Sequence, residues 1–280
     1  MLFRSMMAPF PRSFQEILHR AAVDEILASF WNESQGFPSD LPESLTTKEL
    51  PGCLPSPSTY GEVTTTGARQ IFDHMELYGR SKAATFMDLG SGMGKLVTHG
   101  SMELQCLELA VGIELDPHRH STATSNLKNS RKRRKDADFG SAAPVHLHRG
   151  DILDASVSTA THVYVSSLCF TKKMMQDLGT KLQNEAVNLK CVATLQPFPE
   201  AEQVHYPSRT LALTKTEYVE MSWTKPFGCP VFFYRLHTAD RQQPLDIQPS
   251  RTCCQRCSRR VDDARLLTSE HPPPVCLPTS

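Results

Sequence analysis

The nine residues from Phe86 to Gly94 limit what this chain can fold into more than any other stretch. Phe86-Met87-Asp88-Leu89 is an apolar run carrying one carboxylate near its end, and Gly90-Ser91-Gly92-Met93-Gly94 then places glycine at every second position. An amphipathic segment begins at Lys95. A buried strand, a turn whose backbone comes close to a ligand, and a helix N-terminus facing the same point account for that order. The pattern predicts a site for a nucleoside-bearing cofactor at the carboxyl edge of a parallel sheet.

Three ligand classes compete for such a turn. A triphosphate loop needs glycine, four residues, then Gly-Lys-Ser/Thr, so that backbone N–H groups cradle phosphate and the hydroxyl holds magnesium. Here Leu96 follows Gly94-Lys95, and Leu89 stands where the first glycine is required. That reading fails at both ends. A dinucleotide fingerprint needs G-x-G-x-x-G, its third glycine letting helix and strand pack closely. The spacing Gly90, Gly92, Gly94 with Asp88 ahead of it instead resembles the first motif of class I S-adenosylmethionine (AdoMet) methyltransferases.

The next two strand ends add to this. Leu109-Ala110-Val111-Gly112-Ile113-Glu114 is apolar and ends in a single carboxylate, placed to accept hydrogen bonds from both ribose hydroxyls and to repel a 2′-phosphate. Val145-His146-Leu147-His148-Arg149 alternates and runs into Gly150-Asp151, where methyltransferases of this class often hold adenine.

Around this nucleus the pattern is strand, helix, strand. Strands are predicted near 85–89, 109–114, 145–149, 162–167 and 189–196, and helices near 95–107, 117–133 and 171–186. Apolar strands alternating with helices imply a doubly wound, mostly parallel sheet of the α/β class, covered on both faces. Segments near 210–221 and 231–236, rich in Thr, Val, Tyr and Phe, predict an antiparallel pair closing it. Upstream, Ser13-Phe14-Gln15-Glu16 is a capping box opening an amphipathic helix with Ile17, Leu18, Ala21, Ile26 and Phe30. Residues 36–58 read as a Pro/Ser/Thr-rich loop, followed by a helix with Ala68, Ile71, Phe72, Met75 and Tyr78 on one stripe. The division expected is an N-terminal helix and linker over 1–57, a catalytic domain over 58–237, and a disordered tail over 238–280 where periodicity vanishes.

Several motifs together resemble one family. Tyr60-Gly61-Glu62, Asp88 to Gly94, Gly112-Ile113-Glu114, Gly150-Asp151, Gln196-Pro197-Phe198 and Ser222-Trp223-Thr224 occur in the order and approximate spacing of the disruptor-of-telomeric-silencing histone-lysine methyltransferases. These use the seven-stranded class I, Rossmann-like fold rather than a SET domain. The resemblance implies that Tyr60 and Glu62 fold over the methionine end of AdoMet, that Asp88 reaches its amino-acid portion, and that Gly90, Ser91 and Gly92 form the turn beneath. It assigns Glu114 to the ribose and Asp151 to the adenine amine. Trp223, with Phe233 and Tyr234 nearby, is expected to contribute to an apolar channel for a target lysine, although late-strand aromatics are equally core residues. One departure matters. Where the family carries Asn-Asn-Phe-Ala-Phe after the fourth strand, this chain has Ser166-Ser167-Leu168-Cys169-Phe170. Serine offers a hydroxyl in place of an amide's separate donor and acceptor, so Ser166 or Ser167 is expected at the methionine portion or the substrate amine, or else the substrate differs.

Composition sets limits elsewhere. Formal charge is zero over 280 residues, so no whole-molecule field favours nucleic acid and any such contact rests on local patches. Arg131-Lys132-Arg133-Arg134-Lys135 is the one sharp basic run, expected after the second-strand helix as a contact for nucleosomal DNA, a nuclear import signal, or a solvated loop. No apolar stretch nears the ~20 residues that span a bilayer, and the first residues lack a signal-peptide pattern, so an intracellular, preferentially nuclear location is expected. Cys253, Cys254 and Cys257 suggest half a zinc knuckle without matching finger spacing, and His146 and His148 share a strand face without a further ligand, so no metal site is predicted. The leading reading is an AdoMet-dependent lysine methyltransferase acting on histone. A non-histone substrate, a small molecule, or a non-catalytic binding module are the alternatives.

Overall fold

β1 (Ala84–Leu89) is mostly apolar and buried along both faces, as suits the centre of the sheet rather than an edge. Ala84 and Phe86 join the core beneath α2 (Thr65–His74), α3 (Lys95–Glu103) and α4 (Pro117–Asp136). Met87 and Leu89, one residue out of phase, join the core beneath α5 (Lys172–Glu185). The period of two along one strand thus builds both hydrophobic layers. The computed structural model describes residues 13–32, 62–79, 83–136, 141–199, 209–224 and 228–238.

Seven strands form one sheet in the order β3-β2-β1-β4-β5-β7-β6. β2 (Leu107–Glu114), β3 (Val145–Arg149), β4 (His162–Val165) and β5 (Cys191–Thr194) pair in parallel with β1 or with each other. β7 (Cys229–Thr238) pairs antiparallel with β5, and β6 (Arg209–Val219) antiparallel with β7. The chain walks outward from β1 to β3, then crosses back to β4 on the other side. The β1/β4 boundary is therefore the switch point at which such sheets bind ligands. The doubly wound, mostly parallel sheet with an antiparallel closing pair is the architecture expected.

Local signals fix the helix starts. Ser13 accepts from Glu16 N–H, Thr64 from Gly67 N–H, and Thr171 from Met174 N–H, each satisfying a donor that the first turn leaves unpaired. Ends are set by tertiary packing. α3 stops at Glu103 and not near 107, because Leu104 turns extended and is buried, freeing Leu107 to pair with Ala84. α2 stops at His74, so Met75 caps it and Tyr78 lies beyond its end. The basic run is not a loop after α4 but its last turns. Lys and Arg propagate a helix well and suit its C-terminus, and the Arg131 guanidinium anchors this end by donating to the Val145 carbonyl at 2.9 Å.

α1 (Phe14–Phe30) packs Val23, Ile26, Leu27 and the capping residue Trp31 against Met93 and Met102 of the α3 region. A buried ion network secures it. Arg69 on α2 forks onto Asp24 of α1 and Glu103 of α3, while His99 and Tyr78 also reach Glu103. Tyr60, Gly61, the linker and the tail with Cys253, Cys254 and Cys257 lie outside the described residues. No helix among the described residues is long and apolar enough to cross a membrane.

Candidate active site

The turn after β1 is stitched to β2. Gly90, Gly92 and Gly94 have φ of 86°, 52° and 73°, a region that side chains other than glycine enter only with strain. Gly90 and Ser91 N–H both donate to the Ile113 carbonyl at 2.9 Å, and Gly94 N–H to the Ser91 carbonyl. Glu114, at the tip of β2 and 7% exposed, completes the tie. Its Oε2 accepts from Gly92 N–H at 2.7 Å and its Oε1 from Asp116 N–H at 2.9 Å. The acid and the glycine bend predicted to share one ligand are thus in direct contact.

Gly112 makes that contact possible, although its place in the Gly112-Ile113-Glu114 motif suggests no role of its own. A Cβ there would lie 2.8 Å from both Ser91 Oγ and Leu147 Cδ2. The signal for this is glycine inside an apolar strand, which marks a close approach of another segment.

Asp88 pairs in register with Gly112 on one side and Tyr164 on the other. It is 3% exposed, and its Oδ1 has no hydrogen-bond partner. Burial, then the nearby charge of Glu114, pushes its carboxyl up to about 8. A buried polar atom left unpaired costs about 1–3 kcal/mol, and two acids at neighbouring strand tips favour a cation between them.

Asp151 lies just past β3, next to Gly150, whose N–H donates to the Glu114 carbonyl at 3.0 Å. Asp151 Oδ1 accepts from Leu153 N–H, shaping the loop after the strand. Beyond β4 the two serines part company. Ser166 is half-buried at the strand end. Ser167 is fully buried, and its Oγ accepts from Leu195 and Gln196 N–H at 3.1 and 3.0 Å. Ser167 therefore clamps two loops together and does not present its hydroxyl to a ligand, contrary to the expectation for it.

The upper wall joins two motifs far apart in sequence. Glu62 N–H donates to Ser222 Oγ at 3.2 Å, Ser222 N–H to the Glu62 carbonyl at 3.0 Å, and Val63 bridges Met221. Glu62 Oε2 pairs with Lys95 Nζ at 3.0 Å, which brings this wall to the first residue of α3 beside the glycine turn. In the sequence Lys95 figures only as part of a phosphate-loop pattern that fails. A cation in a helix's first turn opposes its dipole unless an anion sits there, and Glu62 is that anion. Trp223 is half-buried against the main core. Phe233 and Tyr234 do not line a channel. Phe233 is wholly buried among core residues, and Tyr234 Oη accepts from Phe198 N–H.

This strand order, with a glycine turn after β1 and an acid at the tip of β2, defines a class I, Rossmann-like methyltransferase. Residues 54–229 match the model of the DOT1 family, "Histone methylation protein DOT1", and the chain belongs to that family. No curated protein sequence matches significantly. In fold, the chain is similar to an RNA methyltransferase from Salinibacter ruber crystallised with S-adenosyl-L-homocysteine, at 21% identity, 64% of this chain, 94% of the other and a TM-score of 0.39. It is also similar to a putative RNA methyltransferase from Pyrococcus horikoshii (12%, 80% and 100%, TM-score 0.45). A third is TYW2 from M. jannaschii with AdoMet (14%, 62% and 77%, TM-score 0.41). The family match, not these likenesses, places the chain.

The residues fit AdoMet, the methyl donor of this class. An unpaired buried carboxylate oxygen at Asp88 suits an α-ammonium, and the acid at Glu114 suits a diol. Both adjoin a backbone bend with no side chain over Gly90, where a Cβ would meet nothing within 4 Å.

Proposed function

We propose that this protein is an AdoMet-dependent methyltransferase whose acceptor is a protein lysine, with histone the favoured substrate. The observation that carries the reading is the contact of Glu114 with the glycine bend beside an unpartnered Asp88. In this proposal Glu114 holds the ribose hydroxyls, Asp88 the ammonium and Asp151 the adenine amine. Gly90, Ser91 and Gly92 form the floor, while Glu62 and Tyr60 close over the methionine end. When bound, AdoMet supplies a methyl carbon made electrophilic by its sulfonium. The protein's tasks are then orientation and exclusion of water. A lysine amine, with a reference pKa of about 10.4, must be neutral to attack. The half-buried Trp223 lowers its proton affinity by disfavouring the charged form. Ser166 is the hydroxyl left to orient the amine, since Ser167 is committed to backbone.

Histones reach the enzyme with DNA, and α4 offers a basic face. Arg133 pairs with Glu25, Arg131 caps β3, and Arg134 is half-buried, its guanidinium pKa lowered by burial and then by Arg131. The exposed Lys128, Lys132 and Lys135 line a groove with Arg131 and Leu127, and these are assigned to DNA phosphate. A nuclear location fits that substrate.

Incubation with radiolabelled AdoMet and either nucleosomes or free histones tests the reading, and label on a histone lysine is expected. Cofactor bound with no histone labelled rejects the histone assignment. A second reading, a non-histone acceptor, draws on the serine pair standing where the family has asparagines. A labelled non-histone band in extract would favour it.

A further inference from the structure

The family-matched residues begin at 54, yet a helix well upstream of them ends on the cofactor turn. Trp31, at the C-terminus of α1 and 4% exposed, donates its indole Nε1–H to the Met93 carbonyl at 2.7 Å. Met93 lies between Gly92 and Gly94, both with positive φ. The bend thus has a fastener on each of three successive residues. Gly92 N–H is held by Glu114, the Met93 carbonyl by Trp31, and Gly94 N–H by the Ser91 carbonyl. The Met93–Gly94 peptide is thereby held at both ends, its carbonyl by the indole and its N–H by the Ser91 carbonyl. Without the indole the carbonyl side of that plane is released, one residue from the N–H that Glu114 holds. α1 is itself rigidly seated: His19 Nε2 bonds the Met102 carbonyl at 2.9 Å, and Val23, Ile26 and Leu27 pack on Met93 and Met102.

We propose that Trp31 is a positioning residue of the AdoMet site, so that the N-terminal helix is part of the cofactor-binding unit. This rests on the cofactor reading given above. Trp31→Phe keeps an apolar ring and removes the donor, leaving the Met93 carbonyl buried without it. The dissociation constant for S-adenosylhomocysteine, measured by calorimetry, is expected to rise about tenfold. The KM for AdoMet follows it, while kcat stays within about twofold, as for lost ground-state binding. Leu182→Ala, in the core on the other face of the sheet, lowers Tm without touching α1 and leaves cofactor affinity unchanged. A purely structural role for Trp31 would make the two variants alike.

Should Trp31→Phe fail to fold, the wild-type protein decides. The chain has two tryptophans, so the 15N spectrum carries two indole resonances, assigned with Trp223→Phe. The Trp31 resonance is expected to shift on titration with S-adenosylhomocysteine. Unchanged affinity in Trp31→Phe, or without that variant an indole signal that does not move, overturns the proposal. Wild-type protein that binds no S-adenosylhomocysteine rejects the cofactor reading itself, and the inference with it.

Discussion

At the scale of single residues, Asp88 is a carboxyl group that burial strains and that a bound cation would relieve. Its pKa of about 8 in the native state stands far above the ordinary 3.8. The folded protein therefore holds a proton between about pH 4 and 8 that the unfolded chain releases, and stability declines as pH rises through that window. Asp88→Asn is expected to melt a few degrees above wild type at pH 7, the gap closing near pH 4, as calorimetric scans would show. The same substitution removes the charge proposed for the ammonium. Wild type should release a proton on binding S-adenosylhomocysteine at pH 7, read from titrations in buffers of different ionisation enthalpy. No proton release would sink the Asp88 assignment. Glu114→Ala removes the acceptor of Gly92 N–H as well as that proposed for the ribose, and about 10- to 100-fold weaker cofactor binding is expected. Gly112→Ala drives a methyl group to 2.8 Å from Ser91 Oγ and Leu147. It should destabilise the fold by about 1–3 kcal/mol in urea melts.

At the scale of elements, α4 separates cations that hold the fold from cations that face solvent. Arg131 caps the Val145 carbonyl, so Arg131→Ala is expected to cost stability. Reversing Lys128, Lys132 and Lys135 to Glu should leave Tm nearly unchanged and weaken duplex DNA binding. With three phosphates no longer neutralised, the slope of log affinity against log salt should flatten by roughly 3, measured by fluorescence anisotropy on a short duplex. A slope equal to that of wild type removes this face from the binding surface. The helix runs antiparallel to its strands, so this end of α4 lies about 30 Å of helix from its start beside Glu114. DNA held there would leave the reaction edge clear for a protein segment.

Across the whole molecule, the Glu103 network connects α1 and α2 to α3, which is buried along nearly its whole length. Burial would raise the Glu103 pKa, but hydrogen bonds and charges from His99 and Arg69 more than reverse this and hold it well below the usual carboxylate range. Its contribution to stability is therefore full above about pH 4.5 and lost as pH falls through the acid range. Asp88 slopes the other way, so the Tm of the wild type should fall on both sides of about pH 5. Glu103→Ala leaves Arg69 buried with one partner fewer and should destabilise by about 3–5 kcal/mol. Thermal melts from pH 3 to 8 check both limbs. An acid limb as steep in Glu103→Ala as in wild type would contradict this account.

Periodicity and turn chemistry along the chain determined the sheet's class, its strand list and the meeting of Glu114 with the Gly90–Gly94 bend. Those rest on local rules: alternation along strands, glycine where φ is positive, and acids at strand tips. What only the tertiary structure decided depends on partners remote in sequence. Ser167 and Tyr234 look like site residues until the backbone groups they bind come into view. Lys95 has no evident purpose until Glu62 arrives from the upstream segment, and Trp31 none until α1 reaches Met93. The full length of α4 is not legible because a basic run reads as solvent-exposed in any conformation, and a strand 14 residues further on supplies the carbonyl that holds it helical. Hydrogen bonds between segments are paid for by the packing of the whole sheet, so no single stretch of sequence carries them.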